Sequence, residues 1–182
     1  DELCKYLAFN QYSFFRGSLA NVLQRYIDTA KKFNIDRIVR VTADNPLVDY
    51  EFLQASLSLF DECNYADGIY KGGLIFGTGF ELVKLAELLL IPSKEKDHQE
   101  HVTLWLREHL QESDRRIQLI PNDHNKFRKD ISLSCDYPQD LELLRKIFRY
   151  YNYRTNISIE EVTDFLKKKP DLKSINSKLH QD

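Results

Sequence analysis

The chain has 182 residues, 42% of them hydrophobic, and its 26 basic and 28 acidic side chains nearly cancel to a formal net charge of −2. That size and apolar share suit one domain with a real core, and the even charge argues against a general nucleic-acid or membrane surface, leaving a small partner. Cys4, Cys63 and Cys135 are far apart without C-x-x-C spacing, which fits neither a disulfide framework nor a zinc site and makes a reducing, cytoplasmic compartment the default. No apolar run approaches the roughly 20 residues of a membrane span, and the opening "DELCKYLAFNQ" is not a signal peptide. Methionine is absent, so the natural start codon is expected outside this chain.

In chain order, residues 1 to 8 read as the tail of a helix and "YSFF" (12 to 15) as a short strand. Ser18 is an expected N-cap for a helix with Leu19, Val22, Leu23, Tyr26, Ile27, Ala30 and Phe33 at helical spacing, stopped at Asn34. "RIVRVT" (37 to 42) is short and β-branched and reads as a buried strand. A helix then opens near Asp49. A strand is expected near 65 to 70 and a strand or short element at "FELVK", with a glycine-punctuated flexible loop, "KGGLIFGTG" (71 to 79), between them. A short helix from Ala86 to Leu90 ends at Pro92. Asp97 and Glu100 have capping-box spacing at the head of one helix through "DHQEHVTLWLREHL". "RIQLIP" (116 to 121) and "ISLSC" (131 to 135) read as strands, Pro138 as the first residue of a helix, Ser158 and Glu161 as a second capping box, and 171 to 182 as a polar tail. Alternating strands and helices predict an α/β three-layer sandwich on a mostly parallel sheet, with ligands beyond the carboxyl ends of its strands.

That rule selects the loops carrying Asp44 and Asp136. Each acid alone has a structural explanation, an Asx-turn for Asp44 and a helix cap for Asp136. Two carboxylates at one sheet mouth repel unless a cation lies between them, and magnesium accepts one or two carboxylates plus phosphate oxygens. Arg16 precedes a helix amino end, where an anion is favoured. Arg40 lies inside the strand leading to Asp44, near enough to favour an anion there, and its structural explanation is an edge position or a buried acid as its partner. His98, Glu100 and His101 do not form H-E-x-x-H, and the glycine loop is neither a Walker nor a Rossmann loop.

The linked stretches "FFRGSLANVLQRYIDTAKKFNIDRIVRVTADNPLVD", "GTGFELV", "HQEHVTLWLREHL", "SCDYPQDLELLRKIF" and "INS" resemble, in that order and over nearly the whole chain, the cytidylyltransferases that make CMP-activated acidic sugars. The similarity is greatest to the spore-coat-polysaccharide branch. The resemblance implies a nucleotide-diphospho-sugar transferase-like fold and transfer of CMP from CTP to a hydroxyl of an acidic sugar, with release of pyrophosphate. It implies that Asp44 and Asp136 are catalytic and hold Mg2+, that Arg16, Ser18, Arg40, Thr42 and Asn45 contact nucleotide, and that Thr78, Glu81 and His101 lie on the sugar side. It also implies a homodimer. Ala43 replaces the family's usual glycine, while Ser132 and Gly79 stand where relatives often carry an arginine and an acid. The family's leading strand and basic CTP-binding loop have no counterpart here, so this chain alone is expected to lack CTP turnover. A transferase using another nucleotide and a non-catalytic binding fragment are the rival readings.

Overall fold

The computed structural model describes residues 1–68, 74–92, 94–110, 116–120, 126, 128, 130–177 and 179. The chain divides into two compact units, Asp1–Ile38 with Lys84–His109, and Val39–Val83 with Leu110–Asp182.

The first unit is helical. The Asp1 carboxylate accepts from Cys4 N at the head of α1 (Glu2–Phe9), a helix with no buried residue. The strand expected at 12 to 15 does not form; Tyr12 is exposed, and these residues pair with no ladder. α2 (Val22–Phe33) starts three residues later than expected. Its N-cap is Asn21, whose side chain accepts from Gln24 N, while Ser18 Oγ accepts from Asn21 N at 2.9 Å and so organises the turn ahead of the helix. Leu23, Ile27 and Ala30 form its buried stripe, and Asn34 ends it in the left-handed region at φ 53°. α4 (Leu85–Leu90) and α5 (Lys96–Glu100) pack on α2, and α6 (Leu104–His109) packs on α5.

The single helix expected across 97 to 110 is therefore two. No side chain caps α5, and His101 leaves helical geometry at ψ 55°. Val102 and Thr103 are then fully buried in the break, an instance of tertiary burial overriding a local capping pattern.

The sheet has strand order β1-β3-β2-β4 for β1 (Arg37–Arg40), β2 (Tyr65–Asp67), β3 (Glu81–Lys84) and β4 (Arg116–Gln118), and all of it but Arg37, Ile38 and Lys84 falls in the second unit. The fold class is the expected α/β one. The sheet is mixed: β2 runs antiparallel to β3, with Asp67 opposite Glu81, and parallel to β4, with Tyr65 opposite Arg116. β2 is buried throughout, whereas β1 alternates exposed and half-buried residues. The strand expected at 37 to 42 thus forms only over Arg37–Arg40 and is half-covered, because β-branched composition reports a pleated surface without saying whether both faces are covered.

Asp49 caps α3 (Tyr50–Ser56) by accepting from Phe52 N, and a 3₁₀ turn, Leu57–Asp61, follows. Phe60, Cys63, Ala66, Phe80, Leu82 and Leu119 form one core cluster. A larger cluster joins α7 (Pro138–Tyr150) to α8 (Ile159–Lys168) through Leu143, Leu144, Ile147, Val162 and Phe165. Both helices begin as their sequences predict. Pro138 opens α7, and at α8 Ser158 Oγ accepts from Glu161 N while Glu161 accepts from Ser158 N.

"ISLSC" is not a strand. It makes one isolated parallel bridge, Phe76 to Ser132, and its other polar main-chain groups bond to loops rather than to a ladder. The segment read as a polar tail carries α9 (Pro170–Lys173) and then Asn176, which is 2% exposed. Among the described residues no helix is long and apolar enough to cross a membrane.

Candidate active site

Three segments of the second unit converge around residues 131–136. Leu133 N donates to Phe76 O at 2.7 Å, and Cys135 N donates to Asp44 O at 2.8 Å. Gly77 makes the first approach possible: at φ +89° it sits where a Cβ would come within 2.2 Å of Ser134 N, which no side-chain-bearing residue tolerates. The second bond lays the turn of Asp44 beside the residue preceding Asp136. Asp44 and Asp136 are exposed, and neither carboxylate has a hydrogen bond or ion pair among the described residues. Topology alone suggested that the two acids meet, and the Cys135–Asp44 bond is the physical link that joins their turns.

The Asp44 turn is closed by Asn45 N donating to Thr42 O at 3.1 Å, with Thr42 and Asn45 half-buried beside it. Behind it Leu47 is buried, and the Asp49 carboxylate, 2% exposed, pairs with Lys126 at 2.6 Å. Asp49 N also donates to Thr78 O at 2.9 Å. The loop read as flexible is packed where it is described, residues 74 to 79, with Ile75 and Thr78 buried; residues 71 to 73 lie outside the described residues.

Asp136 does not cap α7. The cap belongs to Asp140, whose Oδ2 accepts from Asp136 N at 3.1 Å and from Tyr137 N at 2.8 Å. Sequence reasoning missed Asp140, although an acid at the third helical position behind a proline-opened helix is a capping signal. It also missed Asn176, whose Nδ2 donates to Asp140 Oδ1 at 2.7 Å.

Three residues assigned by resemblance have other partners. Glu81 is fully buried; its Oε2 accepts from Arg40 Nη1 at 2.6 Å and its Oε1 from the Tyr65 hydroxyl at 2.6 Å. In this structure Glu81 is a clamp on Arg40 and Tyr65. Arg40 is accordingly the partner of a buried acid, with its side chain 12% exposed. Thr78, also buried, donates its hydroxyl to Ile75 O at 2.8 Å, closing its own turn.

The remaining candidates belong to the first unit. Arg16 is exposed and pairs with Asp1 at 3.2 Å. Ser18 O accepts from Arg25 Nη1 at 2.9 Å. The His101 side chain is exposed at the end of α5. His98, the metal-like neighbour, is buried with Nε2 2.9 Å from Glu108. Among the described residues no cluster of three or more His, Cys, Asp or Glu side chains could hold a metal. A pair of exposed carboxylates is nevertheless the oxygen-donor set that magnesium uses when phosphate and water complete its coordination, so Asp44 and Asp136 fit that ion.

A family model described as cytidylyltransferase matches residues 1–172. The chain is 32% identical over 182 residues, 99% of its length, to 72% of an uncharacterized protein of Methanocaldococcus jannaschii. It is 28% identical over 162 residues to the spore coat polysaccharide biosynthesis protein SpsF of Bacillus subtilis, covering 88% of this chain and 67% of that one. A solved structure of a cytidylyltransferase from Leptospira borgpetersenii serovar Hardjo-bovis shares the fold at TM-score 0.83 and 24% identity, over 94% of this chain and 73% of the other.

Proposed function

Because the chain belongs to the cytidylyltransferase family, we propose that it moves CMP from CTP to a hydroxyl of an acidic sugar of the nonulosonate or octulosonate type, for surface polysaccharide synthesis. The observation that carries the reading is the Cys135 N–Asp44 O bond, which joins the turns of two acids whose carboxylates have no partner among the described residues. The spore coat polysaccharide role of the Bacillus relative supports the polysaccharide part.

In the proposed reaction the sugar hydroxyl oxygen attacks the α-phosphorus of CTP. The bond from that phosphorus to the oxygen bridging it to the β-phosphorus breaks, pyrophosphate carries the electron pair away, and the hydroxyl proton passes to solvent or base. Asp44 and Asp136 would hold Mg2+, which when bound supplies charge neutralisation to the phosphate oxygens. Thr42, Asn45 and Pro46 fix the turn so that Asp44 faces outward. The Glu81–Arg40–Tyr65 clamp keeps β1 and β3 in register beneath it, which makes Glu81 and Arg40 positioning residues.

The test is pyrophosphate release from CTP with a panel of acidic sugars and Mg2+, comparing the full-length protein with its Asp44→Asn variant. Release that depends on an acidic sugar and is lost in the folded variant supports the reading. Transfer that survives the substitution unchanged overturns it. Thermal shifts with CTP, UTP and GTP separate the nucleotide alternatives, since only a bound nucleotide raises the denaturation midpoint.

A further inference from the structure

We infer that Asn176 and Asp140 are positioning residues that set the main chain of Asp136; the inference rests on the reading of Asp44 and Asp136 as a magnesium pair. Asp140 is fully buried and Asn176 is 2% exposed. Asp140 Oδ2 receives the amides of Asp136 and Tyr137, at 3.1 and 2.8 Å, and its Oδ1 receives Asn176 Nδ2 at 2.7 Å. The same Asn176 nitrogen donates to Ser132 O at 3.1 Å. The segment from Ser132 to Tyr137 is therefore gripped near both ends by one asparagine–aspartate couple. On its other side it bonds to Phe76 and to Asp44 through the amides of Leu133 and Cys135.

A helix cap alone does not call for this arrangement. An exposed Ser, Thr or Asp caps a helix for about 1 kcal/mol, and removing a carboxylate wholly from water is costly. What burial adds is a locked rotamer. With Asn176 fixing one oxygen of Asp140, the other is a stationary acceptor for two consecutive amides, so the Asp136 backbone has one orientation relative to the Asp44 turn. Ligands held this way by groups behind them bind metal more tightly than the same ligands on a loose loop.

The experiment titrates Mn2+ alone into the whole protein, reading free Mn2+ by electron paramagnetic resonance, with amide hydrogen exchange measured in parallel. Asn176→Leu removes both donor contacts at nearly constant volume; Asn176→Ser keeps one donor and serves if the first variant does not fold. Mn2+ affinity is expected to fall about tenfold in the leucine variant, and less in the serine one, with faster exchange at the amides of Asp136 and Tyr137. Variants that only lower the denaturation midpoint, with Mn2+ affinity unchanged well below it, overturn the inference and leave the metal pair standing. Mn2+ binding that is absent, or indifferent to Asp44→Asn and Asp136→Asn, removes the metal pair and the inference with it.

Discussion

Glu81 and the pair Asp44 and Asp136 are acids of the same unit in opposite settings. Glu81 is fully buried, with one oxygen on the Arg40 guanidinium and the other on the Tyr65 hydroxyl. Asp44 and Asp136 are exposed on adjoining turns and have no cationic partner among the described residues. A buried acid must be neutralised from within, because desolvation of an unpaired charge costs several kcal/mol. An exposed acid carries no such requirement, and two of them on adjoining turns remain available to a cation from solution. Acidity at a sheet end therefore says little about function until it is known whether the fold has already supplied the counter-charge. Glu161 and Asp130 lie between these extremes, with side chains 38% and 45% exposed.

The acids can be ranked by what their loss does to stability. Glu81→Ala strands Arg40, whose Nε already lacks a hydrogen-bond partner, and is expected to cost about 3–5 kcal/mol in urea denaturation. A loss below about 1 kcal/mol would place Glu81 with the surface acids and erase the contrast. Ser158→Ala breaks the capping box shared with Glu161 and is expected to cost about 1 kcal/mol; no change in midpoint would show that the box is replaced by water.

Asp130→Asn is expected to cost less than about 1 kcal/mol near neutrality, with a pH signature. The hydrogen bond from the Arg128 guanidinium, reinforced by one from Lys173, holds the Asp130 carboxyl well below its usual range against the opposing pull of burial. A carboxyl whose folded-state value is lowered stabilises the fold above the ordinary aspartate value near pH 4 and ceases to do so as pH falls toward its folded value. The gap in thermal midpoint between protein and variant should accordingly be open at pH 7 and narrower at pH 3; a gap that widens in acid contradicts the pairing. Smallest in stability are Asp44→Asn and Asp136→Asn, each expected within about 0.5 kcal/mol. Their weight falls on chemistry, with CMP transfer expected to drop about a hundredfold or more. Substitutions that destabilise the fold and spare transfer would reverse the comparison.

The sequence made legible those features whose cause lies within a few residues. Asn34 as a left-handed terminator, Asp49 at the head of α3, Pro138 opening α7 and the Ser158–Glu161 box each depend on local backbone geometry, and all four are found. Features set by distant partners were illegible. Nothing near Arg40 announces an acid 41 residues away, and nothing in "ISLSC" distinguishes a ladder strand from a ribbon making one bridge. The helix break at His101 follows from burial of Val102 and Thr103, which overrode a plausible cap. For the candidate site, motif order put forward Asp44 and Asp136, which the structure leaves exposed, together with Thr78 and Glu81, whose polar atoms are turned inward. Asn176 stands in the "INS" stretch of the resemblance, but its role was illegible because its partner Asp140 lies 36 residues away.

The bond from Asn176 to Asp140 spans 36 residues, and that distance orders events in time. A ribosome adding roughly 5–20 residues per second joins the last residue of α7 about a second or more before it makes position 176. During that interval α7 can start, but the oxygen that orients its first turn has no partner. The geometry around Asp136 is thus among the last features of the nascent chain to be completed, and a chain cut before residue 176 would keep the helix without the finished turn.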